Sequence, residues 1–311
     1  MKIDEELAKL TPERDTMITI GVFDGVHRGH RHLIARLIRE AADTDRLAGV
    51  VTFRSHPASI LRADFVPQYL TSLDERIHLL KELGVDFIIP ITFDVDLSKL
   101  PARDFIIRLR KRLRMRGLVV GPDFAMGHKR DGDMKALAAL GEEMDFSIMA
   151  VELLSDNGDA VRSTAVRRAL AEGDVSLVGK MLGHNFCQTG VVVKGAARGR
   201  TLGFPTANLE VLPGMAVPAN GIYATWAHIG KERHMAATSI GTRPTFEEKH
   251  RTIEAFLLDF DGNLYDQEIK LEYVQRLREE LKFDTVDALL EQISEDVDQT
   301  RAILKANRSQ V

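Results

Sequence analysis

The sequence predicts an α/β chain of two domains: a doubly wound parallel sheet, then a small antiparallel β-barrel closed by a C-terminal helix. Three observations predict it. From residue 17 to about residue 180, apolar runs of strand length alternate with stretches of helical period. After about Ser176, short apolar runs follow one another across Gly and Pro turns, with no long helix before Asp284. From Thr285 to about Ala306, an amphipathic stripe through Val286, Leu289, Leu290, Ile293 and Val297 ends the chain. Alternating strands and helices build parallel sheets, whereas closely spaced short strands build sandwiches or barrels.

Met17 to Ile20 is a short buried strand, and Leu33, Ile34, Leu37, Ile38 and Ala41 make one stripe of the helix after it. Leu47 to Phe53 is the next strand. A helix begins at Ser72, with Glu75 completing a capping box, and stops at Gly84. Val85 to Ile91, a helix from about Ala102 to Arg114, and strands at Leu118 to Val120 and Phe146 to Leu153 continue the alternation. The basic run Arg108 to Arg114 carries a buried seam of Phe105, Leu109 and Leu113, so its arginines read as a solvated face. In the second part, Val191 to Val193, Ile222 to Ala224, Ala236 to Thr238 and Ile253 to Phe260 are the short strands. The division is expected between about Ser176 and Thr189, giving domains 1–182 and 183–311.

Composition narrows the function classes. Apolar residues at 44% and charged residues at 28% are ordinary for a soluble protein, and a net charge of −4 does not suggest a general nucleic-acid binder. Cys187 is the single cysteine, which suits a reducing compartment. No apolar signal core and no run of membrane-spanning length is present, so a cytoplasmic protein without a membrane partner is expected. Oligomeric state is not readable.

Chemistry concentrates on Gly21-Val22-Phe23-Asp24-Gly25-Val26-His27-Arg28-Gly29-His30, a strand-to-helix turn. Glycines let the backbone close there, the N–H groups of the helix start attract phosphate, and His27 and His30 can face the same anion. A metal site through His27, His30 and His32 and a plain structural turn are the competing readings; zinc needs three or four convergent ligands, and no second cluster completes a shell. On the same predicted rim lie His56, after the strand ending at Phe53, and Asp123 and Phe124, after Val120. Ser163 and Thr164 open a short helix carrying Arg167, as caps, phosphate binders or both.

The ordered set G-x-F-D-G-x-H-x-G-H, T-F-x-x-H-P, G-x-D-F-x-x-G-x-x-R-x-G-D and S-T-x-x-R resembles the FAD synthetase half of bacterial bifunctional riboflavin kinase/FAD synthetases. That resemblance implies a nucleotidyltransferase domain that moves AMP from ATP to FMN with Mg²⁺. It implies roles for Gly21, Phe23, Asp24, Gly25, Gly29, Ser163 and Thr164 on ATP. His27, His30 and Arg167 would stabilise charge, and His56, Asp123 and Phe124 would seat the flavin. FMN's phosphate is already ionised near neutral pH, so this step needs charge stabilisation rather than a base. Val22, Met126 and Arg162 depart from the usual asparagine, phenylalanine and serine.

In the second domain, Gly195, Arg198, Gly199, Arg200 and Gly203 space a loop that leads into Phe204-Pro205-Thr206-Ala207-Asn208-Leu209. Thr206 and Asn208, two apart, project to one side of an extended segment, where a hydroxyl and an amide suit Mg²⁺ beside ATP phosphates. Glu254 sits in an apolar strand, where an acid needs a partner or a task; a surface Glu at the barrel mouth is the competing reading. R-G-R-x-L-G-F-P-T-A-N-L, with G-I-Y-A, S-I-G-T-R-P-T-F and E-x-x-L-L-D-F-D-G-N-L-Y, resembles the riboflavin kinase half of the same family. It implies that the glycine/arginine loop binds ATP, that Thr206 and Asn208 hold Mg²⁺ and that Glu254 is the base for the riboflavin hydroxyl. The implied chain takes riboflavin, FMN and ATP as substrates and makes FMN and FAD. A kinase with a silent adenylylation half, and a flavin- or nucleotide-binding regulator without turnover, are the alternatives.

Overall fold

The computed structural model describes residues 1–152, 154–156, 159–195, 199, 202–244 and 249–307, and contacts group it into two compact units, Met1–Ser163 and Thr164–Val311. Side chains at 155–156, 159–160, 243–244 and 249–250 are outside the description, as are Leu153, Arg198 and Arg200 altogether.

The first unit holds a five-stranded parallel sheet in the order β3-β2-β1-β4-β5. Its strands are β1 (Thr16–Gly21), β2 (Leu47–Phe53), β3 (Phe87–Ile91), β4 (Met115–Val120) and β5 (Ser147–Ala150). The helices are α1 (Lys2–Leu7), α2 (Arg28–Asp43), α3 (Ala58–Leu61), α4 (Leu73–Glu82), α5 (Val95–Ser98), α6 (Ala102–Leu113) and α7 (Met134–Met144). Strand alternation feeds two separate cores. Ile18, Ile20 and Val51 join Ile3, Phe105, Leu109 and Leu137 on one face. Met17 and Val50 join Ile34, Leu37, Leu79 and Leu80 on the other. A short hairpin, β6 (Ser155–Asp156) and β7 (Asp159–Ala160), follows the sheet.

Local signals match these boundaries where a cap is present. Ser72 accepts from Glu75 N at 3.1 Å, and Asp133, the last residue of the G-x-D-F motif stretch, caps α7 by accepting from Ala136 N at 2.8 Å. The basic helix ends at Leu113, with Arg114 left-handed at φ 52. Phe105, Leu109 and Leu113 are buried, and the arginines at either end meet acids, Arg108 with Asp4 and Arg114 with Asp15.

In the second unit, α8 (Ser163–Glu172) and α9 (Val175–Leu182) precede a closed barrel in the order β10-β11-β12-β9-β8-β13. Its strands are β8 (Phe186–Val193), β9 (Ala207–Val211), β10 (Gly221–Ile229), β11 (Glu232–Pro244), β12 (Lys249–Leu257) and β13 (Glu268–Arg278). The C-terminal helix runs Val286–Asn307, and its Leu304 packs on Trp226 of β10. Compactness places the division after Ser163, earlier than the 182/183 boundary that the change in strand spacing suggests. Leu170 O accepts from Ala219 N at 3.0 Å, Arg276 reaches Glu172 O at 3.4 Å, and α9 lies on β8 and β13. An amphipathic helix shows that it has a buried stripe but not which body buries it.

Candidate active sites

The parallel sheet brings the ends of β1, β2 and β4 side by side, so the segments after Gly21, Phe53 and Val120 share one rim. Beyond β1 the backbone turns through left-handed Phe23 (φ 53) and Gly25 (φ 79) into α2. His27 is the N-cap: its Nδ1 accepts from His30 N at 3.3 Å, which assigns the proton to Nε2. The His27 and His30 rings stack, centroids 3.6 Å apart, and Phe23 meets His30 edge-on at 5.2 Å. Gly29 is required by close approach, since a Cβ there would lie 2.9 Å from Val161 O. Burial first, then His27 and Arg76, hold His30 well below the usual histidine range, so its ring is neutral near pH 7. Imidazole donors beside the N–H groups of a helix start suit an oxyanion.

The remaining sequence candidates divide by position. The Asp24 carboxylate is buried and accepts from Leu70 N at 2.9 Å and Thr71 N at 3.1 Å, so it fastens the chain before α4 to the turn. Ser163 donates to Asp24 O at 3.1 Å, which places its hydroxyl at the same turn. His56 accepts from Ala58 N through Nδ1 and stacks on Phe65 at 5.0 Å, and its backbone N donates to the Tyr69 hydroxyl at 2.9 Å. Phe124 packs against the core, while exposed Asp123 pairs with Arg162 at 3.3 Å. Met126 is buried in the core and bridges Gly132. Thr164 and Arg167 lie on α8, within the second unit. The motif reading misses Arg76, Phe65, Tyr69 and Thr71. Arg76 had a signal: with Leu79 and Leu80 it occupies one helical stripe, and all three are buried.

In the barrel, β12 sits between β11 and β9, so Glu254 lies opposite both Ser239 and Asn208. Ile253, Ala255 and Leu257 point to the buried interior, whereas Glu254 and Phe256 take the half-buried outer face. Thr206 donates its hydroxyl to Glu254 Oε2 at 3.3 Å. A cavity of about 290 Å³ opens over this contact, walled by Phe204, Phe256, Leu281, Phe283, Leu289 and Ile293 among others. A second cavity, about 210 Å³, lies on the other side of Thr206, between Pro205 and the Phe260–Tyr265 loop. Gly195 is tied to the site by close approach, because a Cβ would fall 2.3 Å from Asn208 Nδ2. Gly199 helps to wall the larger cavity and accepts from Phe204 N at 2.8 Å; Gly203 turns at φ 85. Arg198 and Arg200 lie outside the described residues. The C-terminal helix is held beside the larger cavity by a bidentate pair, Arg278 to Asp296 at 2.8 and 2.7 Å. Among the described residues no group of three His, Cys, Asp or Glu is arranged for a metal. Thr206, Asn208 and Glu254 instead offer a small oxygen set, which suits a hard cation whose remaining ligands are phosphate oxygens and water.

Comparison with known proteins matches each half separately. A family model for FAD synthetase covers residues 9–165, and one for riboflavin kinase covers residues 182–304. A bifunctional riboflavin kinase/FMN adenylyltransferase of Escherichia coli K12 is 38% identical over 92% of this chain and 91% of its own. The Bacillus subtilis protein of the same name is 34% identical over 94% and 92%. A crystal structure described as a macrolide-efflux protein from Streptococcus pneumoniae is 29% identical, with a TM-score of 0.88, covering 95% of this chain and 96% of that one. Among the described residues no helix is long and apolar enough to cross a membrane.

Proposed function

The chain belongs to the bifunctional riboflavin kinase/FMN adenylyltransferase family, and from that membership we propose how each half performs its step. The protein phosphorylates riboflavin to FMN with ATP, then transfers AMP from ATP to FMN, giving FAD and pyrophosphate. We assign residues 1–182 to adenylyl transfer and 183–311 to the kinase, and we read the protein as cytoplasmic.

In the kinase, Glu254 accepts the proton of the ribityl hydroxyl while its oxygen attacks the γ-phosphorus. The observation that carries this reading is the Thr206–Glu254 contact at the floor of an apolar cavity. A base belongs there because an alcohol is a poor nucleophile until its proton is accepted. The larger cavity takes the isoalloxazine ring against Phe204, Phe256 and Phe283, and the smaller one takes the nucleotide. Thr206, which lines both, and Asn208 hold Mg²⁺, which would neutralise charge on the phosphates. Gly195, Arg198, Gly199, Arg200 and Gly203 form the nucleotide loop.

In the adenylyltransferase, Gly21, Phe23, Gly25 and Gly29 shape the cradle and Asp24 braces it. His27, His30 and Ser163 donate to the phosphates, with Thr164 and Arg167 assigned to the departing pyrophosphate. His56, Asp123 and Phe124 seat FMN. The proposal needs no general base, because the attacking phosphate is already an anion. One observation favours a second reading, a silent adenylylation half: Arg162 engages Asp123 in an ion pair.

The test is to incubate the purified protein with riboflavin, ATP and Mg²⁺ and to separate flavins by chromatography. FMN should rise first and FAD follow at its expense. Arrest at FMN would leave the kinase reading standing and overturn the assignment of adenylyl transfer.

A further inference from the structure

We propose that Arg76 is the buried counter-charge of the phosphate site, a positioning residue whose guanidinium awaits an anion that only the substrate supplies. The proposal rests on the adenylyl-transfer reading of the His27/His30 turn.

Arg76 stands on α4 and is 1% exposed, among the largest fully buried side chains of the molecule. Arginine is almost never buried to that extent without a paired acid. Here the guanidinium donates once, from one terminal nitrogen to Phe53 O at 2.8 Å, at the end of β2. Its Nε is buried without a hydrogen-bond partner, and Arg76 makes no ion pair among the described residues. The groups that face it are Asp24 and Tyr69, which favour the charged form, and His30, which it disfavours as a cation. The Asp24 carboxylate already holds Leu70 and Thr71.

His30 shows the same deficit. Its Nδ1 is buried without a hydrogen bond, and its ring stacks on His27. The Arg76 guanidinium and the His30 imidazole, each with one buried nitrogen lacking a hydrogen bond, thus face each other near the start of α2. A buried cation left short of a partner costs stability. That deficit is removed when phosphate oxygens arrive, so the cost in the unliganded protein becomes affinity for the charged substrate. Arg76 has a second effect through His30. By opposing protonation of that ring, it adds to burial and His27, the larger causes, in keeping His30 neutral before the nucleotide binds. A purely structural arginine would be replaceable by any neutral donor able to reach Phe53 O. A charge-supplying one would not.

The experiment compares Arg76→Gln, which keeps a donor and removes the charge, with Arg76→Lys, which keeps the charge. Full-length protein is used, with inorganic pyrophosphate as the binding probe in calorimetry and FMN with Mg-ATP for turnover. Arg76→Gln should raise the pyrophosphate Kd about tenfold or more and lower kcat/KM for FAD formation by about 10²-fold. Thermal unfolding of the unliganded variant should stay at or above that of the parent, and Arg76→Lys should recover most of the lost affinity. Histidine NMR should show the His30 ring protonating at higher pH in Arg76→Gln than in the parent. Unchanged pyrophosphate affinity in a folded Arg76→Gln would overturn the proposal. So would an Arg76→Lys variant as defective as Arg76→Gln while both melt early, since that pattern belongs to packing. A parent protein that neither binds pyrophosphate nor makes FAD would instead remove the adenylyl-transfer reading itself.

Discussion

On the proposed assignments, the two units handle phosphate in opposite ways. In the first, the groups lie at the end of a parallel sheet, where a helix start and two stacked imidazoles supply donors, and the nearby Asp24 is turned inward as a brace. In the second, a carboxylate stands on the outer face of a closed barrel, bonded to a hydroxyl beneath an apolar cavity. The contrast follows the nucleophile. A phosphate monoester arrives deprotonated and needs its charge tolerated, whereas an alcohol must first lose a proton. Acid and base therefore appear where a proton has to move, and hydrogen-bond donors where charge has to be accommodated.

That comparison breaks most sharply at Glu254. Glu254→Ala should reduce riboflavin phosphorylation by about 10²–10⁴-fold while FMN supplied directly is still converted to FAD. Normal phosphorylation by the variant would remove Glu254 as the base. The mirror experiment is His30→Ala, expected to lower FAD formation by about 10²–10³-fold and to spare FMN formation. Equal losses in both reactions would show that the two sites are not chemically independent.

A smaller effect tests the wall of the larger barrel cavity, proposed above for the flavin. Asp296→Ala leaves Arg278 without its buried partner, a change that typically costs about 3–5 kcal/mol. Calorimetric unfolding should register that loss, with a raised KM for riboflavin and an unchanged KM for FMN in adenylyl transfer. An acid titration probes the first unit in the same spirit. Burial of Glu6 opposes its ionisation, but bonds from Thr92 and Arg54 outweigh it and hold the carboxyl below the usual range. A lowered folded-state pKa contributes stability that is complete above the unfolded carboxyl value and is lost as pH falls through the folded one. Glu6→Gln should therefore flatten the loss of stability of the first unit on acidification, measured by circular dichroism. The smallest change is expected from Arg301→Ala. Its bidentate partner Asp259 is exposed and screened by solvent, so calorimetric unfolding should barely move.

Legibility in the sequence tracks the range of the physics. Strand-helix alternation, the Ser72 cap and the C-terminal helix depend on neighbours a few residues away, and all three are found where the sequence places them, although Val286 of the predicted stripe is exposed and the helix buries Asp296, Thr300 and Leu304 instead. The barrel is harder. Ala207–Val211 reads only as an extended segment, and Glu268–Arg278 is absent from the predicted strands although polar and apolar residues alternate from Glu268 to Tyr273, yet both complete the closure. Their places in the barrel come from pairing with β8, β12 and β10. Glu254 is the instructive residue at the site. Both faces of its strand are apolar enough to hide the interior face; burial of Ile253, Ala255 and Leu257 shows that Glu254 faces outward, into a cavity also lined by the C-terminal helix.

The sequence by itself determined the class of each half, their order, and the residue types available for phosphate chemistry, because periodicity, caps and turn residues are properties of contiguous chain. Tertiary structure alone decided three other matters. It assigned α8 and α9 to the body of the barrel, tied the Asp24 carboxylate to Leu70 and Thr71, and buried Arg76, which makes no ion pair among the described residues. Each of these depends on which distant surface a side chain meets, and on the burial and electrostatic field that follow from that meeting.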